Sequence, residues 1–189
     1  MNEIVAEAHI LEHFADILAY PRGDLLERAR GCAARVAEAN GEAGRLLRAF
    51  AAFVEETPPG RLEEIYTATF DLEPSCFPYI SYHLFGESYK RSAFVVGLRT
   101  CYRAHGFDVA DELPDHLTVL LRFLATRRDA EAAGELIEDA LLPALEQMLG
   151  SEADHANPYR GVLRALQQVL KGQAAPAITS ARQGGENHA

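Results

Sequence analysis

Apolar residues recur at steps of three and four positions along almost the whole chain, and this spacing is the strongest constraint on the fold. Near the N-terminus they fall at Val5, Ala8, Leu11, Ala15 and Leu18, which places them on one face of a helix. No segment shows the alternation of apolar and polar residues that indicates a strand, and the sequence contains no internal repeat. The pattern therefore predicts an all-α fold of eight or nine helices.

Proline, glycine and asparagine divide this pattern into separate helices. Gly106 can adopt a left-handed conformation and is followed by apolar Phe107, which predicts a well-defined helix end. Pro143 lies inside a helical pattern and is predicted to kink that helix, because it removes one backbone hydrogen bond. The predicted helices cover about residues 3–19, 25–39, 42–55, 58–70, 79–85, 88–105, 114–126, 130–149 and 158–170.

The predicted helix from Pro114 to Thr126 is apolar almost all round, so it is expected at the centre of the fold. Pro114 would start it, because proline is preorganised for the first helical turn. Asp115 would then lie in the first turn, where the helix dipole favours a negative charge. For His116 the simplest interpretation is a hydrogen bond to a nearby carbonyl. The apolar positions are Leu117, Val119, Leu120, Leu121, Phe123 and Leu124.

The length and composition indicate one compact domain. A chain of 189 residues with 48% hydrophobic residues can bury a sizeable core without help from disulfides or metals. We predict that this domain spans residues 1–171. Residues 172–189 are rich in glycine, alanine, glutamine and serine, which predicts a flexible C-terminal tail.

The charge balance argues against nucleic acid as a partner. The chain has 18 basic and 28 acidic residues, a formal net charge of −10. Affinity for a phosphate backbone depends on lysine and arginine releasing counterions, so an acidic chain is poorly suited to it. The same charge favours solubility and association with basic segments.

Several features predict a cytoplasmic protein. The three cysteines, Cys32, Cys76 and Cys101, form no CxxC pair and no disulfide framework, which suggests a reducing compartment. The N-terminal residues lack the basic region and cleavage site of a signal peptide. No apolar run approaches the roughly 20 residues that a membrane helix needs, so no membrane insertion is expected.

One short motif raises the possibility of metal chemistry. His9, Glu12 and His13 match H-x-x-E-H, in which two histidines one turn apart bind zinc and the glutamate acts as a base. The motif lies at the N-terminus, with little chain before it to build a cleft. No later helix offers a convincing third ligand. We therefore expect an exposed helix face and no zinc, and keep a zinc hydrolase as an alternative.

No other catalytic pattern emerges from the sequence. The chain contains no G-x-S-x-G and no glycine-rich phosphate loop, and Ser81 has no assigned partner. Cys76 and His83 could be read as a thiol pair, but a buried structural cysteine is the more common outcome. These observations predict a protein that binds rather than catalyses.

Aromatic residues are concentrated in one stretch of the chain. Seven of the sixteen phenylalanines and tyrosines fall between Tyr66 and Tyr89, more than one core-facing stripe needs. Tyrosine is favoured at interfaces because it offers apolar area and one polar tip. At the spacing of Tyr66 and Phe70 a core position is the usual outcome. Tyr79 and Tyr82 follow a proline-flanked loop and are better candidates for a peptide-binding surface.

The same stretch carries a resemblance to a known family. The motifs are L-x-Y-P at residues 18–21, YTATFD at 66–71, YISYHLFGES at 79–88, YRAHGF at 102–107 and ELPDHL at 112–117. In order and spacing they resemble the redox-enzyme maturation chaperones of the TorD/DmsD/NarJ superfamily across about residues 10–170. They are most similar to the nitrate reductase delta-subunit branch.

The resemblance implies an all-helical cytoplasmic chaperone that is not an enzyme. Such a protein binds the apo catalytic subunit of a respiratory molybdoenzyme, often through its N-terminal peptide. It assists insertion of the molybdenum cofactor, which belongs to the client, and assembly of the complex. The chaperone itself would need no cofactor, and we expect a monomer or a weak dimer. The implied client-binding residues are Tyr66, Phe70, Tyr79, Ser81, Tyr82, Asp115 and His116. A helical regulatory or scaffold protein without such a client is a further alternative.

Overall fold

The computed structural model of the chain describes residues 2–109, 112–127, 130–150 and 157–180, and these residues form the predicted all-α fold. Nine α-helices lie within the described ranges, and the eighth contains a π turn. They are α1 (Asn2–Ile17), α2 (Leu25–Ala39), α3 (Gly41–Glu56), α4 (Pro59–Phe70), α5 (Ile80–Phe85), α6 (Tyr89–Ala104), α7 (Leu117–Thr126), α8 (Ala130–Leu136, the π turn Ile137–Leu141, and Leu142–Leu149) and α9 (Pro158–Ser180). A 3₁₀ turn, Pro74–Cys76, lies between α4 and α5.

Helix α7 lies at the centre of the core, as its apolar sequence predicts. Leu117, Leu120 and Leu121 are buried, and α7 packs against α1. Helices α2 and α3 pack closely on each other because Gly44 has no side chain: a Cβ there would lie 2.6 Å from the Cβ of Ala37. Helix α9 covers the other side of α3.

Two helices are followed by a glycine with a positive φ, and at Gly106 the sequence predicted this ending. Gly86 follows α5 with a φ of +56°, and Gly106 follows α6 with a φ of +65°. After α6 the Phe107 amide donates to the Tyr102 carbonyl at 2.9 Å and the Gly106 amide donates to the Arg103 carbonyl at 3.2 Å. These two bonds form the Schellman motif that the Gly106-Phe107 pair predicts.

The start of α7 differs from the prediction. The helix begins at Leu117 and not at Pro114, so Asp115 is not a first-turn charge. Pro114 and Asp115 form a turn, which a hydrogen bond of 3.1 Å from the His116 amide to the Leu113 carbonyl closes, and the backbone of His116 is extended where it pairs with the chain before α5. The only β-bridge in the described residues joins Tyr79 and His116 in antiparallel fashion. Tertiary hydrogen bonds thus prevail over the local preference of proline for a helix start.

The proline inside α8 is accommodated by the π turn. The Leu142 amide donates to the Ile137 carbonyl, five residues earlier, and Pro143 lies in the first turn of the α-helical segment that follows. A proline has no amide hydrogen and its ring clashes with the carbonyl four residues before it. One wider turn removes this conflict without ending the helix.

The C-terminal helix is longer than predicted. Helix α9 extends to Ser180, and residues 181–189 lie outside the described part of the chain. The domain limit at residue 171 and the flexibility of the tail stay predictions. Of the helices that the structure describes, none combines the length and apolar character needed to cross a membrane.

Candidate functional site

The P-D-H segment (Pro114, Asp115 and His116) is held against the start of α5 by backbone hydrogen bonds. The Ile80 amide donates to the Asp115 carbonyl at 2.9 Å, and the Leu117 amide donates to the Pro78 carbonyl at 2.7 Å. These bonds flank the bridge between Tyr79 and His116, whose rings meet edge to face with centroids 5.5 Å apart. Two motifs that lie more than 30 residues apart in the sequence are therefore held side by side.

Asp115 is fully buried, and its side chain links the two motifs by a hydrogen bond with Ser81. The Ser81 hydroxyl donates to Asp115 Oδ2, and Arg91 Nε donates to Ser81 Oγ at 3.3 Å. Asp115 Oδ1 is buried without a hydrogen-bond partner among the described residues. Because Ser81 and Asp115 are both fully buried, neither the Ser81 hydroxyl nor the Asp115 carboxylate lies on the surface where a partner molecule could contact it.

His116 caps α7 with its side chain. Its Nδ1 accepts a hydrogen bond from the Thr118 amide at 3.2 Å and lies 2.8 Å from the Thr118 hydroxyl. Burial lowers the pKa of His116 from its ordinary value, so the imidazole is neutral and Nδ1 is free to accept. His116 thus accepts from a backbone amide that has no partner within the helix. The sequence had suggested instead that it would bond to a carbonyl.

Tyr66 and Phe70 belong to a buried aromatic cluster. Phe70 is only 2% exposed, and both rings pack against Tyr159 of α9, with centroid distances of 5.7 Å for Tyr66 and 5.2 Å for Phe70. The Tyr66 hydroxyl donates to the Leu18 carbonyl at 3.3 Å, and burial raises the pKa of Tyr66. These two residues therefore occupy core positions, with one edge of Tyr66 reaching a groove.

That groove, which we call the aromatic groove, has a volume of about 350 Å³ and lies between the segment after α1, helices α4 and α7, and the loop after α6. Tyr20 forms one wall, is 51% exposed and packs edge to face on Tyr66 with centroids 5.4 Å apart. It follows the last turn of α1, where the L-x-Y-P motif ends. The groove is also lined by Phe107, Val109, Glu112, His116, Val119 and Arg122.

The predicted binding residues are distributed unevenly around this groove. Tyr66 and His116 line it, and the Tyr79 hydroxyl reaches Glu112 at its edge, at 3.4 Å. Tyr82 lies elsewhere: it packs on Phe77, and the Arg91 guanidinium lies 5.8 Å from its ring centroid. The structure therefore brings part of the predicted set together and leaves Tyr82 outside the groove.

Sequence reasoning missed Tyr20, Phe107 and Val119 as groove residues. Of these three, only Tyr20 could have been recognised from the local sequence. It follows the end of α1, so it is not part of the apolar face that this helix packs against the core. The other two come from the loop after α6 and from α7. Their convergence depends on tertiary packing, which no local pattern reveals.

The aromatic groove has an acidic edge. Asp108 and Glu112 line it, while the positive charge of Arg122 is offset by a salt bridge to Asp16 at 3.2 Å. Burial and the neighbouring Glu112 raise the pKa of Tyr79, so its hydroxyl stays protonated and can donate. An apolar floor with acidic edges suits a partner segment that carries apolar and basic side chains.

The H-x-x-E-H residues lie on the surface of α1. His9 and Glu12 are exposed, and His9 Nδ1 lies 4.0 Å from Glu12 Oε2. Partial burial, with Arg35 nearby, lowers the pKa of His13. Within the described residues, no group of three or more potential metal ligands comes together. The absence of a bound metal stays a prediction.

Comparison with known proteins gives two findings. The family model for the nitrate reductase delta subunit matches residues 34–165 of the chain. A crystal structure named as a redox enzyme maturation protein from Archaeoglobus fulgidus is similar in fold, with a TM-score of 0.58 and 24% sequence identity, covering 87% of this chain and 93% of that one. No curated protein matches the chain.

Proposed function

This chain belongs to the nitrate reductase delta subunit family, and on that premise we propose that it is a chaperone for the catalytic subunit of a molybdoenzyme of the nitrate reductase type. Its activity would be binding and not catalysis. It would hold the apo subunit competent for insertion of the molybdenum cofactor and for assembly of the complex. The cofactor would belong to the client and not to the chaperone.

The observation that carries this proposal is the aromatic groove beside the P-D-H segment. A chaperone of this kind needs a surface that accepts an apolar segment without enclosing it. Tyr20 is half exposed at the groove while its ring is fixed against Tyr66, so it offers apolar area at little cost in side-chain entropy. Such a residue is suited to be a hot spot for binding.

We propose that the N-terminal segment of the catalytic subunit occupies this groove. Apolar side chains of the segment would contact Tyr20, Tyr66 and Val119, and a basic side chain would lie near Asp108 or Glu112. Asp115, Ser81 and Phe70 would act indirectly, because they fix the loop and the helix that carry His116 and Tyr66. Tyr79 would contribute at the edge through Glu112.

The buried thiols agree with action in the cytoplasm. Cys32 and Cys76 are both free and buried, and burial raises the pKa of Cys32 to about 12 and also raises that of Cys76. They are therefore inert packing residues that need no disulfide. We propose that the chaperone acts there as a monomer or weak dimer.

The test is calorimetric titration of a synthetic peptide that carries the N-terminal segment of a nitrate reductase catalytic subunit. We expect the peptide to bind the wild-type protein. In Tyr20→Ala the free energy of binding should be weaker by about 2 kcal/mol or more, because a tyrosine contact that the bound peptide would bury is removed. Tyr82→Ala is the matched control, since Tyr82 is a half-buried tyrosine outside the groove. Circular dichroism would confirm that both variants are folded.

The two variants separate the two possible surfaces. Unchanged affinity in folded Tyr20→Ala together with a loss in Tyr82→Ala would move the site to the surface around α5. No binding of the peptide to the wild-type protein would contradict the proposed client segment itself.

A further inference from the structure

A second, larger groove lies between α5, α6, α7 and α8, and it shares no lining residue with the aromatic groove. Its volume is about 560 Å³. The side chains that form its floor and walls are mainly apolar and include Phe85, Phe94, Leu98, Phe123 and Leu136. We call it the apolar groove. Open apolar grooves of this kind on a protein surface mark interaction sites.

The two long walls of the apolar groove are helices with apolar residues at helical spacing. Phe94, Leu98 and Cys101 follow one another along α6, and Leu136 and Ala140 do so along α8. Helix α5 packs against both α6 and α8. The α6 wall runs from Phe94 to His105, which corresponds to a length of about 17 Å or three helical turns. The α6 wall is therefore long enough to pack against about three turns of a further helix.

The α6 wall is also open where a helix would make its closest approach. Gly97 lines the groove, and a Cβ added there would have no atom within 4 Å. Only Leu98 and Tyr102 of the 16 residues of α6 are buried. An amphipathic helix that buries so little of its surface has room for a further packing partner.

The apolar groove is lined by two acidic side chains of α8 and by one arginine at the end of α7. Glu135 and Asp139 lie four residues apart on α8, both are exposed, and neither forms a salt bridge among the described residues. Arg127, at the C-cap of α7, also lines the groove, and its guanidinium lies 5.4 Å from the ring centroid of Phe123. A partner that fits would carry basic groups toward α8 and an acidic group toward Arg127.

We propose that the apolar groove binds an amphipathic helix of a partner protein that carries two basic residues one turn apart on one flank. The spacing of those residues follows from Glu135 and Asp139, which are one turn apart on α8. The apolar stripe of the partner helix would fill the gap between α6 and α8. This site goes beyond the proposed function, because the client's N-terminal segment is assigned to the aromatic groove.

The first test blocks the groove without disturbing the fold. Gly97→Leu places a good helix former at an open helical position and fills the groove, and Gly31→Leu on α2 is the matched control. The probe is a designed helical peptide of about three to four turns, with a leucine stripe and two lysines one turn apart on one flank. We expect fluorescence anisotropy to show binding to the wild type and to Gly31→Leu, and an affinity at least about tenfold weaker in Gly97→Leu.

The second test exchanges the charges. The double variant Glu135→Lys/Asp139→Lys should weaken binding of the lysine peptide about tenfold and restore binding of a peptide in which the two lysines are replaced by glutamates. Glu146→Lys, an exposed substitution on α8 outside the groove, is the control and should change neither affinity. Such an exchange cannot arise from a general loss of stability.

Three outcomes would overturn the proposal. One is equal affinity of wild type and Gly97→Leu for the lysine peptide. Another is equal affinity of the wild type for the lysine and glutamate peptides. The third is self-association of the wild type in analytical ultracentrifugation that Gly97→Leu abolishes, which would assign the groove to a second copy of the chain. The client's N-terminal peptide should bind Gly97→Leu with the same affinity as wild type. A failure of the apolar-groove proposal is therefore distinguishable from a failure of the proposed function.

Discussion

At the scale of single residues, the adjacent pair Asp115 and His116 shows how a motif can position a site without forming all of it. Asp115 is buried and bonded to Ser81, while His116 caps α7 and reaches the aromatic groove. A change at Asp115 therefore acts on a partner molecule only through the loop that it holds. Its partner Ser81 is 34 residues away in the sequence, which is why sequence alone could assign neither residue.

The bond between Ser81 and Asp115 predicts a measurable loss of stability in Ser81→Ala. The carboxylate would stay buried without its hydroxyl donor, and such a loss costs about 1–3 kcal/mol. Urea unfolding measures it, with exposed Ser92→Ala as a control that should change stability by less than about 0.5 kcal/mol. Strictly additive effects of Ser81→Ala and Asp115→Ala in the double variant would show that the two side chains are not coupled.

The cap formed by His116 predicts a pH dependence of stability. Burial lowers the folded-state pKa of His116 below the ordinary value of 6.5. Its contribution to the free energy of unfolding is therefore complete above pH 6.5 and is lost as the pH falls through the folded-state pKa. In His116→Asn the cap is kept but the titration is removed, so stability between about pH 7 and pH 5 should decrease less than in the wild type.

Chemical denaturation at a series of pH values would check this expectation. Burial also lowers the pKa values of His13 and His83, so the wild-type stability falls in the same range for more than one reason. The relevant quantity is the difference in slope between wild type and His116→Asn. Parallel curves would show that His116 does not change its protonation differently in the folded and unfolded states.

At the scale of helices, the sequence predicted boundaries well where local chemistry decides them. The end of α6 follows from Gly106 and Phe107, and the central position of α7 follows from its apolar sequence. The start of α7 could not be predicted, because residues 115–117 pair with residues 78–80 and these tertiary hydrogen bonds overrule the local preference of proline for a helix start. The π turn before Pro143 is a similar case, in which a wider turn that the sequence did not predict accommodates the proline.

Substitution of two glycines of the α6 region by alanine should change the stability of the protein in opposite directions. Gly97 is helical with open space around its Cβ position, so Gly97→Ala should raise stability by about 0.5–1 kcal/mol. Gly106 has a φ of +65°, where an added Cβ is strained, so Gly106→Ala should lower stability by about 1–2 kcal/mol. Urea unfolding of both variants measures the contrast, and a shift of the same sign in both would contradict the assigned backbone conformations.

At the scale of the whole molecule, the core and both grooves depend on contacts between distant parts of the chain. The aromatic groove combines side chains from the segment after α1, from α4, from α7 and from the loop after α6, and the apolar groove combines four helices. Hydrophobic periodicity predicted which helices form, and family resemblance pointed to the region of the site. Neither could show that Tyr66 and Phe70 pack on Tyr159, because that contact spans about half the chain.

Tyr159 is the residue at which three helices meet. Its ring contacts Phe50 of α3 and both Tyr66 and Phe70 of α4, and it joins them to α9. Its hydroxyl is buried and has no hydrogen-bond partner among the described residues. The ring therefore stabilises the fold while the hydroxyl carries a desolvation cost.

Removal of that hydroxyl should consequently leave the protein as stable as the wild type or more stable. We expect Tyr159→Phe to change the free energy of unfolding by between zero and a gain of about 1 kcal/mol, because an unpaired buried polar group is lost and the ring is kept. Tyr102→Phe is the matched comparison: its buried hydroxyl donates to the Pro114 carbonyl at 2.8 Å, so its loss should cost about 1–2 kcal/mol. Urea unfolding of the two variants under the same conditions measures the difference. An equal loss in both would mean that the Tyr159 hydroxyl is also hydrogen-bonded in solution, and that the junction of α3, α4 and α9 contains a polar contact rather than an apolar one.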